Sequence, residues 1–119
     1  MANNDGSPGA RAVRADIARL LDDLTMALKA AGQWQLLPPP PAALASPLPF
    51  CCDTLRFTEW VQWLFIPRTR ALLAADAPLP AVSGIAPMAE EALRGCDWDT
   101  VDVIALLRRF DRLIAAAWA

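Results

Sequence analysis

Few side chains in this chain could carry chemistry. Its 119 residues include no histidine and no tyrosine. That removes the commonest general base, the usual activator of a serine or cysteine nucleophile, and most zinc constellations. Three cysteines remain: Cys51 and Cys52 are adjacent, and Cys96 stands apart. Adjacent cysteines chelate one metal poorly, and Cys96 has no partner at a metal-ligand spacing. A thiolate nucleophile needs a cationic neighbour, and Arg56 is the nearest in sequence. All three therefore read as buried or half-buried structural thiols. Glu90 and Glu91 point about 100° apart on a helix, so they are not a paired acid and base. Asp53, Glu59, Glu90 and Arg68 would make a site only if the fold gathered them, and helix capping or bridging accounts for them equally well. Five isolated glycines cannot form a phosphate-cradling loop. No catalytic activity, metal or cofactor is expected.

Arg108 and Arg112 share a helical face, with Arg109 beside them, which could read phosphates. Asp99, Asp102 and Asp111 are interleaved with them, so a solvated, self-paired surface is the stronger reading. A formal net charge of −2, with no dominant basic patch, argues against direct nucleic-acid binding. Of the eleven basic residues only Lys29 is a lysine. Trp60 and Trp63 are near neighbours on one helix, and Trp98 and Trp118 bracket another. Indoles whose N–H needs an acceptor are as typical of interfaces as of cores.

The elements that must position these residues centre on positions 53–68. Phe57, Trp60, Val61, Leu64 and Phe65 recur at helical spacing. Trp63, Ile66 and Leu73 cover a neighbouring face, leaving Thr58, Gln62 and Thr69 as a narrow polar seam. A helix so nearly apolar all round belongs in the middle of a bundle. It starts between Thr54 and Thr58 and ends near Ala75. Pro67 lies inside it, where proline removes a donor, crowds the carbonyl of Trp63 and pushes Ile66 away from helical torsions. A kinked helix is expected there.

Residues 1–8 read as a disordered tail, with Ser7 as N-cap and Pro8 at the first helical position. A first helix follows from about Gly9 to Ala31, with Val13, Ile17, Leu20, Leu21, Leu24 and Leu28 as its stripe and Gly32 as its stop. The prolines at 38–41, 47 and 49 give a stiff, packed connector, anchored by Trp34, Leu44 and Phe50. A short third helix is expected from Pro87 to about Arg94, its Glu90 and Glu91 favouring the N-terminal dipole. The last helix is capped by Asp97 or Asp99 and runs to about Ala117. The fold class is therefore all-α: one domain, residues 9–119, of about four helices around a central proline-kinked helix.

A chain of this size can form a core without staples. No stretch reaches the roughly 18 apolar residues of a membrane span, and the N-terminus lacks a secretory pattern. A reducing cytoplasm is the expected compartment. The 55% apolar content invites self-association, for which a homodimer is the commonest form.

Leu48-Pro49-Phe50, Asp53-Thr54, the run Glu59-Trp60-Val61-Gln62-Trp63-Leu64-Phe65-Ile66-Pro67-Arg68, Leu79-Pro80, and Ile85 through Leu93 together resemble the YqcC-like family of small bacterial proteins. The likeness spans about residues 13–115. It implies a helical bundle and, because such proteins are often encoded beside a tRNA pseudouridine synthase, an accessory role in tRNA modification with that synthase as partner. It supplies no catalytic residues. Its motif positions Asp53, Glu59, Trp60, Gln62, Trp63, Pro67, Arg68, Pro87 and Glu90 become the candidate interaction residues. The alternative is a binder of a small molecule, anion or peptide in a groove beside the kinked helix, with Arg68 gripping the anion.

Overall fold

A computed structural model describes residues 8–118, and the expected N-terminal tail and its Ser7 cap lie outside them except for Pro8. Helix α1 (Pro8–Ala30) is followed by the one-turn α2 (Pro41–Leu44) and a 3-10 turn (Pro49–Cys51). The central helix comprises α3 (Phe57–Trp60), a π turn (Val61–Phe65) and α4 (Ile66–Ala74). Helices α5 (Ile85–Ala92) and α6 (Val101–Ala117) complete the bundle, and no strand occurs among the described residues.

Helix α1 buries its expected stripe: Ile17, Leu20, Leu21, Leu24 and Leu28 are all enclosed, and Val13 packs at the margin. It lies chiefly against α6, which contributes Val103, Leu107, Phe110 and Ile114 to the same core. Gly32 ends α1 in the left-handed conformation at φ 72°. The N–H groups of Gly32 and Gln33 then return to the carbonyls of Lys29 and Leu28, satisfying the last turn in a Schellman arrangement.

The central helix runs through the proline, but Ile66 departs from its expected torsions. Ile66 is not driven out of helical space: its torsions are φ −61° and ψ −52°. The π turn just before Pro67 admits one extra residue, and the Ile66 N–H bonds to the Val61 carbonyl five positions back. A widened turn gives the ring room and takes up the interrupted ladder without breaking the helix. Burial of Val61, Phe65 and Ile66 in the core holds the chain to that solution. The polar seam of this helix is buried rather than solvated, with Thr58 and Gln62 4% exposed and Thr69 6%.

The proline segment also bends a local rule. Pro40 is extended, at φ −57° and ψ 146°, but Pro41 opens α2, where the N–H it lacks is not needed. The cysteines diverge from expectation, since Cys51 is buried whereas Cys52 and Cys96 are exposed. Their flanking turns, not an apolar periodicity, decide which side faces the core.

Helix α5 starts two residues before Pro87, not at it. Its start is fixed from outside: the Asp111 carboxylate on α6 accepts the N–H groups of Ile85 (3.1 Å) and Ala86 (2.9 Å), and the Ser83 hydroxyl. Pro87, third in the helix, has no N–H to satisfy. Glu90 and Glu91 consequently fall in the second half of α5, away from its N-terminus, and serve instead as ion-pair partners of Arg108 and Arg94. At α6, Asp99 accepts the first helical N–H, that of Val101, at 3.0 Å.

Candidate functional site

Among the clefts along the central helix, two are separated by the divergence of Trp60 and Trp63. On the Trp63 side, the helix grips a single loop residue. Gln62 accepts the backbone N–H of Gln35 (2.8 Å) through Oε1 and donates Nε2–H to its carbonyl (2.7 Å). The Trp63 indole donates to Gln35 Oε1 (2.8 Å), and Gln35 Nε2 donates to Glu59 Oε2 (2.9 Å). Glu59 also accepts the backbone N–H of Arg56 (2.8 Å), which starts the helix. Thus Glu59, Gln62 and Trp63 bind every polar group of one glutamine. Directly after it, Leu36 and Leu37 stand 91% and 81% exposed. A cleft of about 500 Å³ beside them includes Trp34, Trp63, Ile66, Pro67 and Arg70.

Burial by itself would raise the Glu59 pKa. The Arg56 N–H, the Gln35 amide and the Arg56 guanidinium all favour the carboxylate and outweigh it, so the pKa lies below the ordinary glutamate value. A carboxyl whose pKa is lower folded than unfolded contributes stability above the unfolded pKa. That contribution is lost as pH falls through the folded value. Urea midpoints of the wild type are therefore expected to fall more steeply below about pH 4 than those of Glu59→Gln, because the unfolded carboxyl titrates near 4.3. Parallel pH profiles for the two proteins would remove this linkage.

On the Trp60 side lies an aromatic cleft of about 330 Å³ between the central helix, the 79–84 segment and α6. Trp60 meets Phe50 edge-on at 4.7 Å and stacks on Phe65 at 5.5 Å, and Phe65 meets Phe110 edge-on at 4.9 Å. Phe50 reaches Trp60 from an unusual backbone, since Phe50 and Cys51 both adopt left-handed torsions at φ 58° and 50°. Non-glycine residues held there store strain.

The remaining candidates disperse. Asp53 accepts the Ser46 hydroxyl at 2.5 Å and ties down the proline segment. Glu90 pairs with Arg108 at 2.7 Å, joining α5 to α6. Pro87 is an exposed residue in the first turn of α5. Arg68 is exposed and lies outside these clefts. Arg108 is occupied by Glu90, leaving Arg109 and Arg112 as exposed surface. Sequence reasoning missed Gln35, Asp111 and the setting of Thr69. A lone glutamine after a helix stop carries no periodic signal. Asp111 reads as one charge among the α6 arginines until α5 is placed against it.

The DUF446 family model, described as tRNA pseudouridine synthase C, matches residues 16–113. An uncharacterised protein of Haemophilus influenzae is 40% identical over 74 residues, covering 62% of this chain and 70% of that protein. The uncharacterised protein YqcC of Escherichia coli is 35% identical over 95 residues, 80% of this chain and 87% of that one. A protein of Pectobacterium carotovorum named tRNA pseudouridine synthase C is 41% identical over 64 residues, which are 54% of this chain but 17% of that protein. The solution NMR structure of E. coli YqcC superposes with a TM-score of 0.76 at 31% identity, covering all of this chain and 93% of that one. With that fold and a family match across most of its length, the chain belongs to the YqcC-like (DUF446) family.

Proposed function

We propose that this protein is a non-enzymatic accessory factor that docks on a tRNA pseudouridine synthase. The observation that carries the reading is the Pectobacterium relative, a protein bearing the synthase name in which the matched sequence makes up 17% of the length. The reading takes that stretch as a docking module carried within a longer protein, and this chain as its free-standing counterpart. The surface assigned to docking is the ledge of Leu36 and Leu37. Leaving a leucine exposed forgoes roughly 1.5–3 kcal/mol of burial. Here the ledge is fixed by four hydrogen bonds to Gln35 instead of being free to fold inward. Glu59, Gln62 and Trp63 hold the ledge, and Pro67 and Arg70 line its cleft.

The test is affinity capture of the tagged full chain from cells of its source, read by mass spectrometry. A Leu36→Asp, Leu37→Asp double variant and an Arg109→Ala control run beside it. The wild type and the control are expected to recover a pseudouridine synthase, and the double variant to lose it at least tenfold. Both leucines being exposed, the double variant keeps the native fold by circular dichroism. Recovery of this chain alone, losing its partner copy in the double variant, would make the ledge a homodimer surface and end the synthase reading. Unchanged pseudouridine content in tRNA from cells lacking the protein would remove its link to modification.

A further inference from the structure

We propose that the aromatic cleft beside Trp60 is a binding site for an uncharged small aromatic molecule carrying one hydrogen-bond acceptor. The cleft lies apart from the Leu36–Leu37 ledge, and the proposal does not rest on the docking role. Its volume of about 330 Å³ falls at the lower end of the range of ligand pockets, roughly 300–1,000 Å³. No ionisable side chain lines it, so neither an anion nor a cation finds a counter-charge there. Its walls are instead the rings of Phe50, Trp60, Phe65 and Phe110. Their edge-on contacts leave ring faces and edges to receive another aromatic group in the same offset or T-shaped manner.

The requirement for an acceptor comes from two donors. Thr69 is 6% exposed and lines the cleft, yet its hydroxyl has no hydrogen-bond partner among the described residues. The usual solution for a helical threonine is the carbonyl four positions back, and Thr25 takes it, reaching the Leu21 carbonyl at 2.9 Å. Thr69 does not. The Trp60 indole N–H is likewise without an acceptor in the described residues, whereas Trp63 and Trp118 find theirs at 2.8 and 2.7 Å. Both donors therefore stay open to solvent within the cleft, and a ligand carbonyl or ether oxygen can take the place of water on them. The left-handed torsions at Phe50 and Cys51 fix one wall at a conformational cost, as at other preorganised sites.

The test uses two probes of nearly one shape, acetophenone and α-methylstyrene, in which a carbonyl oxygen is exchanged for a methylene. Each is titrated into the ¹⁵N-labelled full chain while the indole N–H resonances are followed by NMR, with Trp60 assigned by loss in Trp60→Phe. Acetophenone is expected to shift the Trp60 resonance saturably, and to bind at least fivefold more tightly than α-methylstyrene. Thr69→Val keeps the shape and removes the hydroxyl, so it should erase most of that preference while leaving α-methylstyrene binding unchanged. Should that variant fail to fold, Trp60→Phe, which removes the other donor and keeps an aromatic wall, should narrow the preference in the same way, read from the backbone amide shifts of the cleft residues. Equal affinity of the two probes for the wild type, or no saturable shift at Trp60, would overturn the proposal.

Discussion

Asp111→Ala is expected to destabilise the protein by about 3 kcal/mol, because each buried donor left without its acceptor costs roughly 1–3 kcal/mol. Two such donors result, the N–H groups of Ile85 and Ala86, in residues only 9% and 4% exposed. The loss is not repaired locally. Gly84 at the N-cap has no side chain to substitute, and Pro87 cannot contribute a bond. At eight residues α5 is also too short to hold itself as a helix without tertiary support. For a domain of this size the melting temperature should fall by about 10–15 °C, at several degrees per kcal/mol. Asp111→Asn retains one acceptor oxygen and should lose about half as much. Urea unfolding followed at 222 nm measures both. A loss below about 1 kcal/mol for the alanine variant would show that water replaces the carboxylate and that α5 is not capped from α6. Ile85 also lines the aromatic cleft, so the same variant should weaken acetophenone binding there.

The bundle was legible where local pattern and global burial agree. The stripe of α1 runs at strict helical spacing into a glycine, and that glycine does adopt the left-handed stop. The start of α6 follows from an aspartate before Val101. Legibility fails where a distant residue supplies what the local sequence lacks. The start of α5 was misplaced at Pro87 because the proline is a local signal, whereas Asp111, which sets the start, lies about 25 positions away in sequence. The torsions at Ile66 escape the rule for residues before proline because that rule is local. The buried neighbours Val61 and Phe65 make a widened turn the better solution. Of the candidate site, the motif residues on the central helix were found, but what they hold was not. Gln35 has no hydrophobic period or charge to reveal it, and only the return of the chain past the helix brings it within reach.

That same contact gives the second large effect. Only a side-chain amide offers one acceptor and one donor at the spacing of a backbone N–H and C=O, which is how Gln62 pairs with Gln35. Gln62→Met keeps the volume and loses both bonds, and about 2 kcal/mol is expected from the unpaired backbone groups. Gln62→Glu at pH 7 should cost more, about 3–4 kcal/mol. It sets a carboxylate against the Gln35 carbonyl in a 4% exposed position, one turn from Glu59. The sign of the pH dependence then separates the two effects. Burial and the lost donor raise the pKa of a glutamate at 62 when folded, so its penalty is present above the unfolded value and shrinks as pH falls from 7 toward about 5. The native Glu59 pKa is lowered, so its contribution is lost only below about pH 4, and the two windows do not overlap. Equal losses for the methionine and glutamate variants at pH 7, or no recovery by pH 5, would mean that Gln62 merely fills space. If the ledge is the docking surface, Gln62→Met should also reduce capture of the synthase with Leu36 and Leu37 untouched, because a ledge that is free to move pays an ordering cost on binding that the gripped one has already met.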